Sequence, residues 1–255
     1  MKTMLRMGDL RIYADRESLD RGAAEQILKV GRNAIASRGR FSFALAGGST
    51  PRGVYQALAW QSFASQLDWS CTHVFWSDER CVPPDHPDSN YGMARKALLD
   101  HVPVPAANVF RIRGEIEPRR AAEEYETTLR ALFSSPSAEP GLASFSDGFD
   151  LILLGMGDDG HTASLFPQTS GVREKERWVI SHYIGKVHAW RVTFTPPVIN
   201  RAHHVFFLVS GADKARQLKD VLTGPYRPDD LPAQIVQPAK GELLWLVDGE
   251  AAALL

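Results

Sequence analysis

Hydrophobic and polar positions fall into two kinds of block that take turns along the chain. Short apolar runs, Phe41 to Ala46, His73 to Ser77, Asp150 to Leu154 and His204 to Ser210, have strand length and are too short for core helices. They predict strands buried in a sheet. Between them lie stretches of helical period. Asp15 to Arg38 sets Leu19, Ala23, Ile27, Val30 and Ala34 on one face, with Asp15 placed to cap the first turn. Pro51 to Trp60 predicts a helix with proline in its first turn. Asn90 to Leu99, Arg119 to Phe133 and Asp213 to Leu222 predict three more, and Asp9 to Ala14, Val192 to Thr195 and Leu243 to Val247 are further strand-like runs. Ser134 to Gly148, rich in Ser, Pro and Gly, predicts a surface loop rather than a domain linker, since the alternation resumes at once. Regular exchange of strand and helix predicts an α/β chain whose sheet is mostly parallel and covered by helices on both faces.

Composition narrows what such a chain can be. Its 255 residues can bury a sizeable core, and they fit one α/β domain over 1–255 better than two small ones. A net charge of -1 with scattered Lys and Arg gives no footprint for nucleic acid. No segment approaches the ~20 apolar residues of a membrane span. Met1 to Leu10 carries Lys2, Arg6 and Asp9 and lacks the apolar centre of a secretory signal. Cys71 and Cys81 do not make a disulfide framework. Together these features predict a cytoplasmic protein with free thiols and with neither nucleic acid nor membrane as a partner.

Candidate chemistry gathers where strands end. After Asp150 to Leu154 comes Gly155-Met156-Gly157-Asp158-Asp159-Gly160-His161-Thr162-Ala163-Ser164. Its glycines allow a tight turn and close approach. His161 can take and return a proton near neutral pH, and Asp159 can orient its ring and stabilise the imidazolium. Open α/β sheets bind ligands at such strand ends. Gly155, Gly157 and Gly160 also match the dinucleotide fingerprint G-x-G-x-x-G. Three features argue against that reading. Asp158 and Asp159 would set negative charge beside the phosphates, and Pro167 interrupts a following helix. The next apolar run, Trp178 to Tyr183, ends without an acidic ribose ligand. A catalytic turn without a nicotinamide cofactor is the better reading.

A second turn, Gly47-Gly48-Ser49-Thr50-Pro51, follows Phe41 to Ala46 and opens a helix. Backbone N–H groups, the positive helix end and two hydroxyls make an anion cradle of phosphate size. The lysine and spacing of a nucleoside-triphosphate loop are missing. Ser49 or Thr50 as a simple helix cap fits the same residues, so both readings stay open. Charges mark three more places: Ser77-Asp78-Glu79-Arg80-Cys81 after one strand, Arg191 near the start of another, and Lys214 just after a third. Cys81, with no histidine in its motif, reads as a small loop residue rather than an activated thiolate. Convergence of these cations on one sheet edge would make a site for an anionic small molecule.

Taken in order, Ala46 to Pro51, Trp76 to Pro83, Ser89 to Met93, Leu154 to Pro167, Arg191 to Thr195 and Gly211 to Ala215 resemble the 6-phosphogluconolactonases over most of the chain. That resemblance implies a three-layer α/β/α fold with a Rossmann-like sheet, similar to the glucosamine-6-phosphate deaminases. It implies a carboxylic ester hydrolase of the pentose phosphate pathway that converts 6-phospho-D-glucono-1,5-lactone to 6-phosphogluconate. His161 would be the general base on water and Asp159 its orienter. Gly48, Ser49, Thr50, Arg80, Arg191 and Lys214 would grip phosphate and sugar, with Gly47 and Asp78 of the same motifs beside them. No cofactor is implied, and no metal, since one Asp-Gly-His turn lacks the three-ligand set of a catalytic zinc site. The deaminase branch is one alternative, but Phe166 stands at the position resembling its catalytic glutamate and Arg80 where it has tyrosine. A sensor that binds sugar phosphate without turnover is another, against which His161 and Asp159 argue for an enzyme. One departure from the lactonase pattern is Gln168, where glycine is frequent.

Overall fold

Two β-sheets organise the chain in the computed structural model, which describes residues 8–133 and 148–255. Most of two stretches read above, Met1 to Leu10 and Ser134 to Gly148, lies outside the described residues. The order is β1 (Asp9–Tyr13), α1 (Arg16–Arg38), β2 (Phe41–Leu45), α2 (Ser49–Leu58), α3 (Gln61–Ala64), β3 (Thr72–Trp76), β4 (Asp78–Arg80), α4 (Asn90–Ala97), α5 (Pro118–Phe133), β5 (Leu151–Gly155), β6 (Val179–Ile184), β7 (Ala189–Phe194), α6 (Pro196–Ile199), β8 (His204–Val209), α7 (Ala215–Thr223) and β9 (Glu242–Asp248).

Local chemistry sets the helix ends. The Asp15 carboxylate accepts from Ser18 N at 2.7 Å and so caps α1. Gly39, at φ 72°, ends the same helix in the left-handed region, where its N–H reaches Ile35 O.

The larger sheet runs β1-β9-β8-β5-β2-β3, and every neighbouring pair in it is parallel. Every residue of β2 is buried, as expected for a parallel strand covered on both faces. Strand alternation assigns the covers. Phe41 and Phe43 stack on the face where Gly31 of α1 comes against Phe41. Phe75 of β3 pairs in register with Ala44, so it points to the opposite face, where it meets Phe133 of α5 and Phe149. Helices therefore flank both faces.

The second sheet is β4-β7-β6 and wholly antiparallel. It refines the sequence reading, which treated Asp78 to Cys81 as a loop and did not separate Trp178 to Tyr183 and Val192 to Thr195 from the parallel system. The physical reason lies in the connection. Only Gly185 to His188 joins β6 to β7, and so short a link joins antiparallel neighbours, whereas a parallel pair needs a long crossover. Among the described residues no helix is long and apolar enough to cross a membrane.

Candidate active site

Strand order decides where the loops meet. From β2 the chain moves outward to β3, then returns to the other side of β2 with β5 and continues to β8. The sheet thus reverses direction between β2 and β5, and crevices for ligands open at the C-terminal strand ends of such a switch point. The four adjacent strands β8, β5, β2 and β3 each deliver a loop to that edge.

Two buried tyrosines hold the strand ends in place. Tyr55 of α2 donates to Ala46 O and accepts from Ala46 N, at 2.8 and 2.9 Å. Tyr125 of α5 does the same for Trp76, accepting from its N at 2.9 Å and donating to its O at 3.1 Å. Each hydroxyl satisfies backbone groups that lose their ladder partners as the strands end.

A cleft of about 250 Å³ opens there, lined by Gly47, Gly48, Ser49 and Thr50, by Asp78, Arg80 and Asn90, by Gly155, Met156, Gly157 and His161, and by Lys214. Ser49 and Thr50 occupy the first positions of α2, whose cap is Gly48 at φ 100° with no side-chain cap bond. The helix-cap alternative therefore falls away, and both residues line the cleft. Arg16 holds this turn from behind, donating to Ser49 O and to Thr50 O at 2.5 and 3.0 Å.

His161 is set by its own loop. Its Nδ1 lies 2.5 Å from Asp159 Oδ1, and its backbone N donates to the same oxygen at 3.1 Å. The carboxylate fixes the tautomer with Nδ1 protonated and leaves the Nε2 lone pair available. Gly157 makes room: a Cβ there would overlap Nδ1 and Cε1 of the ring. Phe166 stacks on the imidazole with ring centroids 4.0 Å apart and planes 17° apart. Lys186 Nζ, from the β6–β7 connection, lies 2.7 Å from Asp159 Oδ2 and 3.2 Å from Asp158 Oδ1. Burial pushes the Asp159 carboxyl up, but hydrogen bonds from His161 and Lys186 outweigh it and hold the group below the usual carboxylate range. No α-helix follows β5 before β6 among the described residues, so the glycine-rich turn lacks the dinucleotide helix.

Opposite His161, a buried polar network fixes Asp78. Its Oδ2 accepts from Ser164 Oγ at 2.7 Å and its Oδ1 from Asn90 Nδ2 at 3.2 Å. Asn90 presses against Gly47, where a Cβ would overlap its amide. Glu79, 2% exposed, accepts from the backbone N of Arg80, Asn90 and Tyr91 at 2.7 to 2.8 Å. Burial raises its pKa in spite of those bonds. Arg80 donates to Asp88 O at 2.6 Å, and Lys214 pairs with Asp213 at 2.9 Å.

Of the residues singled out in the sequence, Gly47, Gly48, Ser49, Thr50, Asp78, Arg80, His161 and Lys214 line one cleft, and Asp159 stands directly behind His161. Arg191 does not line it. It sits mid-strand in β7 opposite Arg80, donates to Trp190 O and lines a neighbouring hollow with Cys81, Tyr183 and Trp190. Burial, then the Arg80 charge, lowers its pKa. Burial pushes the Cys81 thiol up to about 11, which fits a small structural residue and not an activated thiolate. Sequence reasoning assigned no role to Asn90, Glu79, Arg16 or Lys186. Asn90 stood within the Ser89 to Met93 motif, and Gly47 gave a second signal, because a glycine beside a cradle often marks close approach by another group.

A parallel sheet with an acid–base pair and cations at its switch point defines an α/β protein built to handle an anionic small molecule. The chain belongs to the glucosamine-6-phosphate isomerase/6-phosphogluconolactonase family, whose sequence profile matches residues 14–245. It is 45% identical over 220 residues to a 6-phosphogluconolactonase of Synechocystis sp., covering 86% of each chain. With a 6-phosphogluconolactonase of Nostoc sp. it shares 43% identity over 251 residues, 96% of this chain and 98% of the relative. The solved 6-phosphogluconolactonase of Trypanosoma brucei superposes with a TM-score of 0.82 at 29% identity, covering 97% of this chain and 98% of that one.

Proposed function

We propose that this protein hydrolyses 6-phospho-D-glucono-1,5-lactone to 6-phosphogluconate. The observation that carries this reading is the His161–Asp159 pair, 2.5 Å apart, in a cleft that also holds Arg80 and Lys214. Relatives named for this activity, alike over nearly the full chain, support it.

Hydrolysis of a lactone is acyl transfer to water. His161 Nε2 takes a proton from water as its oxygen bonds to C1, and the carbonyl oxygen gains the charge of a tetrahedral intermediate. Asp159 stabilises the imidazolium that results. Collapse breaks the bond from C1 to the ring oxygen, and the imidazolium returns its proton to that oxygen. Water is consumed and the open-chain acid leaves. Arg80 and Lys214, with the hydroxyls of Ser49 and Thr50 and the start of α2, supply charge and donors for the phosphate. Gly47, Gly48 and Asp78 complete the walls on the sugar side, and Arg191 adds positive charge from behind Arg80.

Phe166 bears on the deaminase alternative. An apolar ring packed on His161 supplies no carboxylate for ring opening or amine chemistry. A cytoplasmic setting belongs to the same proposal, since Cys71 and Cys81 are both unpaired thiols. The test is hydrolysis of freshly generated 6-phosphogluconolactone, measured against its spontaneous background. Acceleration proportional to enzyme supports the proposal. Binding of 6-phosphogluconate without acceleration would make the protein a sensor instead.

A further inference from the structure

Among the contacts between the two sheets is one side chain whose position the proposed hydrolysis does not explain. Lys186 lies in the Gly185–Val187 turn between β6 and β7, yet its ammonium docks on the loop that follows β5 of the other sheet. There it lies 2.7 Å from Asp159 Oδ2, while Asp159 Oδ1 lies 2.5 Å from His161 Nδ1. One carboxylate thus bridges an ammonium and an imidazole, one oxygen to each.

We infer that Lys186 is a positioning residue that acts through Asp159, holding the carboxylate on His161 and setting the basicity of the imidazole. The inference rests on the lactonase reading of His161 for its kinetic consequence, though not for its physical content.

The sign follows from the charges. A carboxylate beside an imidazole favours the protonated ring and raises its pKa; an ammonium on the far side of that carboxylate opposes the effect. Removing the Lys186 ammonium should therefore strengthen the pull of Asp159 on the imidazole proton. The pKa of Lys186 is itself raised, first by the hydrogen bond to Asp159, so it stays charged across the working range. The other charged groups around His161 are Asp158 on the same loop, Asp78 and Arg80 on β4, and Lys214 after β8. Of these only Asp158 also touches Lys186, so a shift seen on replacing Lys186 reports its ammonium together with the carboxylates it holds. Lys186 is about half exposed and water screens it, which limits the effect to a fraction of a pH unit up to about one unit.

The turn also restrains geometry. Without Lys186 the carboxylate can rotate about its own side chain and leave Nδ1. A positioning role then lowers kcat, whereas loss of a substrate contact would raise KM.

The experiment is a titration of the His161 imidazole by NMR in the substrate-free protein, assigned by its disappearance in His161→Asn, for wild type, Lys186→Met and Lys186→Arg. It is paired with pH profiles of lactone hydrolysis. The inference expects Lys186→Met to raise the His161 pKa by about half a unit, move the acid limb of kcat/KM by the same amount, and lower kcat with KM nearly unchanged. Lys186→Arg should restore both values. An unchanged His161 titration in Lys186→Met would overturn the inference, whatever the activity. So would an unmoved acid limb with a large rise in KM, which would place Lys186 on the substrate's phosphate. Absence of lactone hydrolysis in the wild type would defeat the functional reading instead, and the NMR result would still stand or fall alone.

Discussion

Phe166 lies flat against His161, ring centroids 4.0 Å apart and planes inclined by 17°. Phe166 is 7% exposed, so the stack closes one face of the imidazole to water. It fixes the ring in the plane where Asp159 meets Nδ1, and it offers an apolar ring and no carboxylate on that side of the imidazole. Phe166→Leu keeps the site apolar but removes the flat partner. We expect a stable protein with kcat lower by roughly fivefold, from lost ring alignment worth about 1 kcal/mol. Neither protein should release ammonia from glucosamine 6-phosphate, and release by the wild type at a rate comparable to lactone hydrolysis would show the branch to be misassigned.

Gly157 and His161 share a space that admits no methyl group. A Cβ at position 157 would overlap the imidazole itself. Gly157→Ala should displace the ring from Asp159 and lower kcat by about 10²-fold, a typical share of general-base catalysis. Affinity for 6-phosphogluconate, measured by calorimetry, should change little, because the residues proposed to hold the phosphate lie on other loops.

Asp159 gives a pH-dependent test. Hydrogen bonds from His161 and Lys186 outweigh burial and depress its pKa in the folded protein. A depressed carboxylate contributes stability above its unfolded value of about 3.9 and loses it as pH falls through the folded value. Asp159→Asn should therefore lower Tm near neutral pH and shrink the Tm difference between neutral pH and about pH 3. It should also cut kcat by at least ~10²-fold, since an amide can present its N–H to Nδ1 and favour the wrong tautomer. An equal Tm loss at both pH values would contradict the depressed pKa.

Lys214 tests the anion. It lines the cleft beside Ser49 and Thr50. Lys214→Ala should raise KM for the phosphorylated lactone about tenfold or more, the worth of one charged hydrogen bond, with a smaller change in kcat. On unphosphorylated gluconolactone the variant and wild type should be equally poor. Equal kcat/KM of the wild type on both lactones would remove the phosphate from recognition.

Much of this molecule was legible in the sequence, for a physical reason. Buried parallel strands are short apolar runs, and amphipathic helices such as α1 carry their cap and their buried stripe in adjacent residues. The site was legible because its residues sit immediately after those strands: Gly47 after β2, Asp78 after β3, Gly155 to His161 at the end of β5, Lys214 after β8. The second sheet was not. Its strand β4 has three residues, with no periodicity of its own, and its partner β7 lies more than a hundred positions away. Lys186 on Asp159 and Asn90 against Gly47 were hidden for the same reason, because no local pattern records a contact made across the fold. Gln168, the one visible departure, has φ 62° in the structure. Glycine suits that left-handed geometry, and the Gln168 side chain instead donates to Asp230 at 2.8 Å.

His161, held by Asp159, is the base proposed to activate the water that opens a phosphorylated lactone. The most direct measurement of that role is kcat of His161→Asn on freshly generated 6-phosphogluconolactone, beside 6-phosphogluconate affinity of the same variant. A loss of ~10²–10⁴-fold in kcat with product affinity retained is the expected result. Turnover within a few-fold of wild type would contradict it and move the base to another residue of the cleft.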